Sequence, residues 1–396
     1  MKQHTVCIVT GTRAEWGLLR GVWKAMEQRP GLRPLVAVTG AHLAEEFGCT
    51  VREIEADGAP IDVRIPILRY GTASREAVAK TTGDAIGLFA DYFAKARPDA
   101  VLVLGDRYEI FAAGAAAAML CIPLIHISGG DVTRGAVDDW FRHCLTKMAS
   151  LHFPSCEEYA RRVIRMGEDP ARVENVGGLG DENLRKMQLM SREALSASIG
   201  FDLTAPYVLV TYHPETASDA SPVEQFDALL RALEPLAVHV IFTKANADAG
   251  GAAINRRIDA VCAANPGRCI AFTSMGALRY LSAMKGCEAV VGNSSSGVVE
   301  TPTLGVPAVN IGQRQAGRIL CDNVICCEAD EAAIRRALQT ALTPGFKARA
   351  AKTVSPYNGG DTARRIAQGV ERFLNDPAHK APKGFYDGPV PGEVGP

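Results

Sequence analysis

The chain lacks the features that would assign it to several common functional classes. Its eleven cysteines include no CxxC pair and no Cys/His cluster at zinc spacing, so a zinc site is not expected. Their odd number, scattered through apolar segments, fits free thiols in a reducing cytoplasm better than a disulfide framework. No apolar run reaches membrane length. The longest, AAGAAAAML (112–120), is Ala-rich and reads as a buried helix, and the early run VCIV is too short for a signal h-region. Charge of one sign is missing too: 43 Lys and Arg stand against 44 Asp and Glu, a formal net charge of -1. Neither a nucleic acid nor a membrane is therefore expected as a partner. The first strand pattern is not followed by GxGxxG, which removes the dinucleotide fingerprint, and no repeat of solenoid period stands out.

What is present is 396 residues, room for about two domains, with 47% hydrophobic residues to fill their cores. Short apolar runs alternate with helical patterns: TVCIVTG, PLVAVTG, DAVLVLGD, IPLIHIS, YVLVTYHP, AVHVIFTK, EAVVGN and VPAVNIG. Continuous rather than alternating hydrophobicity marks strands of a parallel sheet covered on both faces, and the intervening helices complete βαβ units. The pattern breaks in the charged, helical stretch 177–204 and a new strand series begins at Tyr207. The reading is α/β, with an N-terminal domain over 1–177 and a second over 178–360. A last helix follows over 361–376, and a Pro-, Gly- and Lys-containing stretch, 377–396, is expected to be mobile.

In doubly wound sheets ligands sit beyond the C-terminal strand edges, so polar residues ending the strands are the candidates. The stretch 288–318 ends a strand at Gly292 and opens a helix within Asn293, Ser294, Ser295, Ser296 and Gly297. Such a run offers amides and hydroxyls to a diphosphate; simple N-capping by serine is the plainer alternative. Glu300 is positioned to accept from ribose hydroxyls, and Arg314 and Arg318 follow the next strand. Arg13, after the first strand, meets an anion or stays solvated. His213, before Pro214, is a phosphate donor or a structural histidine, while Asn246 and Asp248 end the following strand. Asp106 lies just beyond a strand as an N-cap or a catalytic acid.

The next strand delivers His126 and HISGGDVTRGAVDDWFRH. On a helical wheel Val137, Trp140, Phe141, Cys144, Leu145 and Met148 share one face, expected to be the core side. Asp138, Asp139, Arg142, His143 and Thr146 take the other. Asp138–Arg142 and Asp139–His143 are i,i+4 pairs, each worth about 0.2–0.5 kcal/mol if exposed. The acids and histidines lack a compact metal-ligand spacing, so no metal is expected.

Six blocks, GTRAEWGLL, LGDRYEIFAA, HISGGDVTRGAVDDWFRHCLTKMASLHF, VTYHPET, NADAGG and GNSSSGVVETPTLGVPAVNIGQRQAGR, together resemble the hydrolysing UDP-N-acetylglucosamine 2-epimerase family. The resemblance implies a GT-B fold, two Rossmann-like doubly wound domains with a central cleft, and UDP bound mainly by the second domain. It implies that Arg13, His213, Asn246, Ser294, Ser295, Glu300 and Arg314 hold the nucleotide, with the backbone near Phe272 to Met275, hence Ser274 and Met275, at the uracil. It places Asp106, Asp131, Asp138, Asp139, Arg142 and His143 as catalytic groups, with His42, His126 and Ser128 on the sugar side. The implied chemistry is UDP elimination across C1–C2 and rehydration of the glycal, without metal or cofactor, in a cytoplasmic homodimer or homotetramer. The substrate would be UDP-N-acetylglucosamine or a UDP-2,4-diacetamido-2,4,6-trideoxyhexose of a sialic or legionaminic acid route, releasing an N-acetylmannosamine-type sugar. Ser128 departs from the glutamate or histidine of many relatives, Asp131 stands where glutamate is common, and Lys244 and Ala245 also differ. A non-hydrolysing epimerase, a GT-B glycosyltransferase and a nucleotide-sugar binding module are the alternatives.

Overall fold

The computed structural model describes residues 3–45, 48–70, 74–132, 137–214, 221–245 and 251–392. The chain divides into two compact units, residues 1–182 with 356–396 and residues 183–355.

The first unit is built on six parallel strands, β1 (His4–Thr10), β2 (Leu32–Thr39), β3 (Ile61–Ile65), β4 (Ala100–Leu104), β5 (Leu124–Ile127) and β6 (Leu151–Phe153), in the order β3-β2-β1-β4-β5-β6. The continuous apolar runs find their explanation here. Val6 and Ile8 of β1 enter one core and Cys7 and Val9 the other, and Leu102 and Val103 of β4 divide in the same way. A strand covered on both faces has no side left for polar residues. The last helix, Thr362–Asn375, belongs to this unit and buries Ile366, Val370 and Phe373 in the core with Trp16 and Trp23.

The second unit repeats the plan with β7 (Tyr207–Thr211), β8 (His239–Thr243), β9 (Cys269–Phe272), β10 (Val290–Gly292), β11 (Ala308–Ile311) and β12 (Val324–Cys327), ordered β12-β11-β10-β7-β8-β9 and all parallel. Counted within each unit, both sheets have the doubly wound order in which the winding reverses between the first and fourth strands. That switch point falls between β1 and β4 in one unit and between β7 and β10 in the other, and each unit has candidate residues at its own switch point.

All eleven cysteines are free. Among the described residues no helix is long and apolar enough to cross a membrane, and no group of three or more His, Cys, Asp or Glu is placed to hold a metal ion. The stretch expected to be mobile has specific partners as far as it is described: Lys383 donates to the carbonyls of Lys147 and Ala149 at 2.6 and 2.7 Å, and Tyr386 to that of Gly167 at 3.0 Å.

Candidate active site

In the first unit three strand ends supply the polar groups. After β1, Thr12 caps the helix Arg13–Glu27. Its side chain accepts from the Glu15 amide, and the Glu15 carboxylate takes the amides of Gly11 (2.6 Å) and Thr12 (3.3 Å), a reciprocal capping box. Arg13 thus becomes the first helical residue, and it is exposed.

After β4, Gly105 turns the chain at a φ of 81° and Asp106 follows. Asp106 is not a cap, because the helix Tyr108–Met119 is capped at Arg107 without a side-chain bond. Its carboxylate instead ion-pairs with Arg142. Burial, only partly offset by Arg142 and reinforced by the charges of Asp138 and Asp131, holds the Asp106 pKa above the usual carboxylate range.

After β5, Ser128 adopts a left-handed φ of 65° and Gly130 one of 83°. A Cβ on Gly130 would lie 2.4 Å from the Tyr159 carbonyl, so only glycine fits there. The turn brings Asp131 to the helix Val137–Met148, where Arg142 donates to the Asp131 carbonyl (3.1 Å) and to the Asp139 carboxylate (3.2 Å). Asp139 also faces His143 Nε2 at 3.5 Å, and His143 Nδ1 is buried without a partner among the described residues. Asp138 is exposed in the same first turn.

The wheel reading of this helix holds in part: Leu145 and Met148 pack in the core and Phe141 stacks on Phe111, but other assignments fail. Arg142 and Thr146, assigned to the outer face, are 6% and 0% exposed, whereas Trp140 and Val137, assigned to the core, are 69% and 48% exposed. Cys144 is exposed as well, and only Leu145 of the apolar set is fully buried. The inward side meets polar strand ends, so a guanidinium with several acceptors suits it better than an indole. The expected Asp139–His143 pair forms, but Arg142 reaches Asp139 and Asp106.

His42 and His126 are interior. Neither has any exposed surface, and both ring nitrogens of each are engaged. His42 lies between Thr10 Oγ1 (3.0 Å) and Thr50 Oγ1 (2.8 Å), and His126 between the Gly105 carbonyl (2.8 Å) and Thr146 Oγ1 (3.3 Å). Burial drives their pKa values down to about 4 and about 3, so both are neutral near pH 7. Both rings thereby tie strand ends to neighbouring segments.

In the second unit Asn293, wholly buried, holds the switch point together. Its amide group accepts from the His213 N–H (2.7 Å) and donates to the His213 carbonyl (2.8 Å). The Asn293 carbonyl takes Arg314 Nη1 (3.2 Å) and Gln315 Nε2 (2.9 Å). One helix was expected from the serine run; two short ones form, Ser296–Val299 and Thr301–Leu304, with Glu300 at the joint. Ser295 at the first N-cap makes no side-chain capping bond, but the Ser294 hydroxyl accepts from the Ser296 amide at 3.4 Å, so part of the run does the capping of the plainer alternative. A four-residue helix sums little dipole, so attraction for an anion there comes from individual amides and hydroxyls. Ser294, Ser295, Ser296 and Gly297 are all half-buried. Burial raises the Glu300 pKa against a hydrogen bond from Ser296 and the charge of Arg318. Ser274 is exposed, and Met275 is buried in the core with its carbonyl accepting from Arg279 Nε at 2.7 Å. Asn246 and Asp248 lie outside the described residues.

Gln315, Thr146 and the pair Glu15–Glu109 were not expected. Glu15 could have been found, because E at N3 after T at the N-cap is a capping-box pattern, whereas its approach to Glu109 has no local signal. Glu109 is fully buried, bonded by Arg107 Nε at 2.6 Å, and a Cβ on Gly11 would touch it at 2.7 Å.

Comparison with known proteins identifies the family and the fold. The family described as UDP-N-acetylglucosamine 2-epimerase matches residues 24–371. The hydrolysing GDP/UDP-N,N'-diacetylbacillosamine 2-epimerase of Campylobacter jejuni is 38% identical over 84% of this chain and 86% of its own. The polysialic acid biosynthesis protein P7 of Escherichia coli is 36% identical over 97% of both chains. Among solved structures, the UDP-GlcNAc 2-epimerase from Neisseria meningitidis bound to UDP-GlcNAc superposes with a TM-score of 0.79, at 16% identity, over 93% of this chain and all of that one. That likeness carries the fold, a GT-B-like α/β pair of domains.

Proposed function

The chain belongs to the UDP-N-acetylglucosamine 2-epimerase family, and from that premise we propose that it is a hydrolysing member. It converts a UDP-2-acetamido sugar, either UDP-N-acetylglucosamine or a UDP-2,4-diacetamido-2,4,6-trideoxyhexose, to UDP and the free 2-epimer. The observation that carries the reading is the Arg142 cluster, in which three aspartates from separate strand ends and one helix start converge on a buried guanidinium with His143 beside them. Its support comes also from relatives named as hydrolysing 2-epimerases, that of Campylobacter jejuni and one from Legionella pneumophila at 33% identity over 92% of this chain.

The chemistry asks for what these residues offer. A base removes the C2 proton, the C2–H electrons form C1=C2, and the C1–O bond to UDP breaks. Water then adds, its hydroxyl at C1 and a proton at C2 on the opposite face, so that substrate plus water gives UDP plus free sugar. Removing a weakly acidic C–H needs a positioned carboxylate. Ser128 cannot serve, so that duty lies among Asp106, Asp131, Asp138 and Asp139, with His143 moving the returning proton. The leaving diphosphate gains charge and is stabilised by Arg13, His213, Arg314, Arg318 and the Asn293–Gly297 amides and hydroxyls, with Glu300 on the ribose. No metal enters these steps.

We place the enzyme in the cytoplasm, and the exposed Val137, Trp140 and Cys144 face favours assembly as a homodimer or homotetramer. Incubation with each UDP-sugar, following free UDP and released sugar by NMR, tests the activity. Release of UDP with a 2-epimeric free sugar is expected from at least one substrate. Intact epimerised UDP-sugar, or no turnover of either, would sink it.

A further inference from the structure

Lys383 lies in the C-terminal segment, more than 230 residues after the helix Val137–Met148, yet its ammonium sits at the end of that helix. It donates to the carbonyls of Lys147 (2.6 Å) and Ala149 (2.7 Å), orphan acceptors of the kind that any helix leaves at its last turn, and to that of Thr146 (3.4 Å), which also accepts from the Ala149 amide at 3.3 Å. A cation there also meets the negative end of the helix.

The ammonium is itself held. It ion-pairs at 2.6 Å with Glu168, whose side chain is 2% exposed and which also takes His152 Nε2 (2.9 Å) and Lys147 Nζ (2.7 Å). Two residues on, the Phe385 ring lies over Gly167, where a Cβ would meet it at 2.4 Å, and Lys147 Nζ sits 4.6 Å from the ring centre. The Tyr386 amide donates to the Gly167 carbonyl. The segment is thus fixed in register on both sides of Lys383.

The capped turn is also the turn that holds Arg142. Thr146 Oγ1 donates to the Arg142 carbonyl at 3.0 Å and lies 3.3 Å from His126 Nδ1, while His126 Nε2 donates to the Gly105 carbonyl, next to Asp106. A shift of this helix along its axis would move Arg142, Asp139 and His143 together against Asp106 and Asp131.

We propose that Lys383 is a positioning residue for the epimerase reaction, setting the axial position of the helix that carries Asp138, Asp139, Arg142 and His143. This rests on the proposed function, and it predicts a rate effect without a substrate-affinity effect, since an ångström of misplacement costs on the order of a hundredfold in rate.

UDP release by the full chain is measured for wild type, Lys383→Ala, Lys383→Arg and Phe385→Ala, with melting temperatures and amide hydrogen exchange over 137–148. Lys383→Ala is expected to lose about tenfold or more in kcat, with KM within about twofold and faster exchange across the helix's last turns. Lys383→Arg, which presents donors to the same carbonyls, is expected to recover most of the rate. Phe385→Ala, at a 65% exposed ring, should shift kcat and exchange the same way by less, and it keeps the test open should Lys383→Ala not fold. Wild-type kcat in folded Lys383→Ala would overturn the proposal, as would a kcat loss with unchanged exchange. Absence of UDP release from wild type would instead fail the epimerase reading, while the exchange measurement still decides the capping.

Discussion

Arg142 and Asp106 form an ion pair across thirty-six residues of sequence, one from a helix and the other from the end of β4. The guanidinium side chain is 7% exposed and the carboxylate 21%, and the same guanidinium reaches Asp139 and the Asp131 carbonyl. The planar guanidinium holds its donors in a fixed, spread geometry that matches these acceptors, whereas a lysine ammonium is a point charge whose donors have no such fixed spread. Arg142→Lys is therefore expected to fold but to lose about a hundredfold in kcat, about 3 kcal/mol of transition-state stabilisation, with UDP affinity within about twofold of wild type. Steady-state assays with UDP titration calorimetry check this, and retained kcat would show that the fork geometry is irrelevant.

The two units predict a division of labour between affinity and rate. Arg314 reaches the Asn293 carbonyl beside the serine run, while Asp131 borders the Arg142 cluster. Arg314→Ala should weaken UDP binding about tenfold or more, the usual loss for a charge-assisted contact to phosphate. Asp131→Asn should leave UDP affinity near wild type and lower kcat. Calorimetry showing equal losses in affinity would mean that the roles of the units are misassigned.

The parallel architecture was legible because burial on both faces of a strand leaves a continuous apolar run, as in CIVT and VLVL, that no other environment produces as readily. The strand ends were legible for the same reason, since polarity can return only where the sheet stops. What misled was the helix 137–148. A wheel sorts residues by hydropathy alone, but Arg142 and Thr146 are drawn inward by acceptors that come from β4 and β5, and Trp140 is left outside. Those acceptors are long-range partners, invisible in a local window. The break at Glu300 was hidden similarly, because a serine run followed by Glu300, with Pro302 two residues after the glutamate, fits one bent helix or two short ones. The partners of Lys383 were hidden because composition measures the lack of apolar residues in a tail, not one lysine's fit to one helix end.

Glu15 gives the structure a pH dependence in the neutral range. Burial, reinforced by the charge of Glu109, pushes its pKa from 4.5 up to about 8. A carboxyl whose folded pKa is raised contributes stability that is complete below its unfolded pKa and is lost as pH rises through the folded one. Melting temperature should therefore fall between about pH 5 and pH 8 through this group. Glu15→Gln keeps an acceptor for the Gly11 amide and removes the charge, so it should be near neutral at pH 5 and raise the melting temperature at pH 9. Thermal melts across this range decide it, and parallel pH profiles for the two proteins would show that Glu15 is ionised in the fold throughout.

Gly292 ends β10 opposite Thr211 of β7 with a φ of 132°, and a Cβ built on it would lie 1.9 Å from the Thr211 carbonyl oxygen. Both the backbone conformation and the approach exclude a side chain. Alanine must then separate the strands at the point where Thr211 leads to His213 and Gly292 to Asn293. Gly292→Ala should cost about 3 kcal/mol or more and, because the His213–Asn293 pair is displaced, should weaken UDP binding in whatever protein folds. Gly297→Ala is the control, since its Cβ would meet only Val290 Cγ1 at an ordinary 3.8 Å. Its melting temperature should stay close to wild type. Urea melts and UDP calorimetry on the two variants separate the outcomes: similar stability for both would mean that β7 and β10 yield at the switch point without cost, and that the glycine is not what sets the approach of His213 to Asn293.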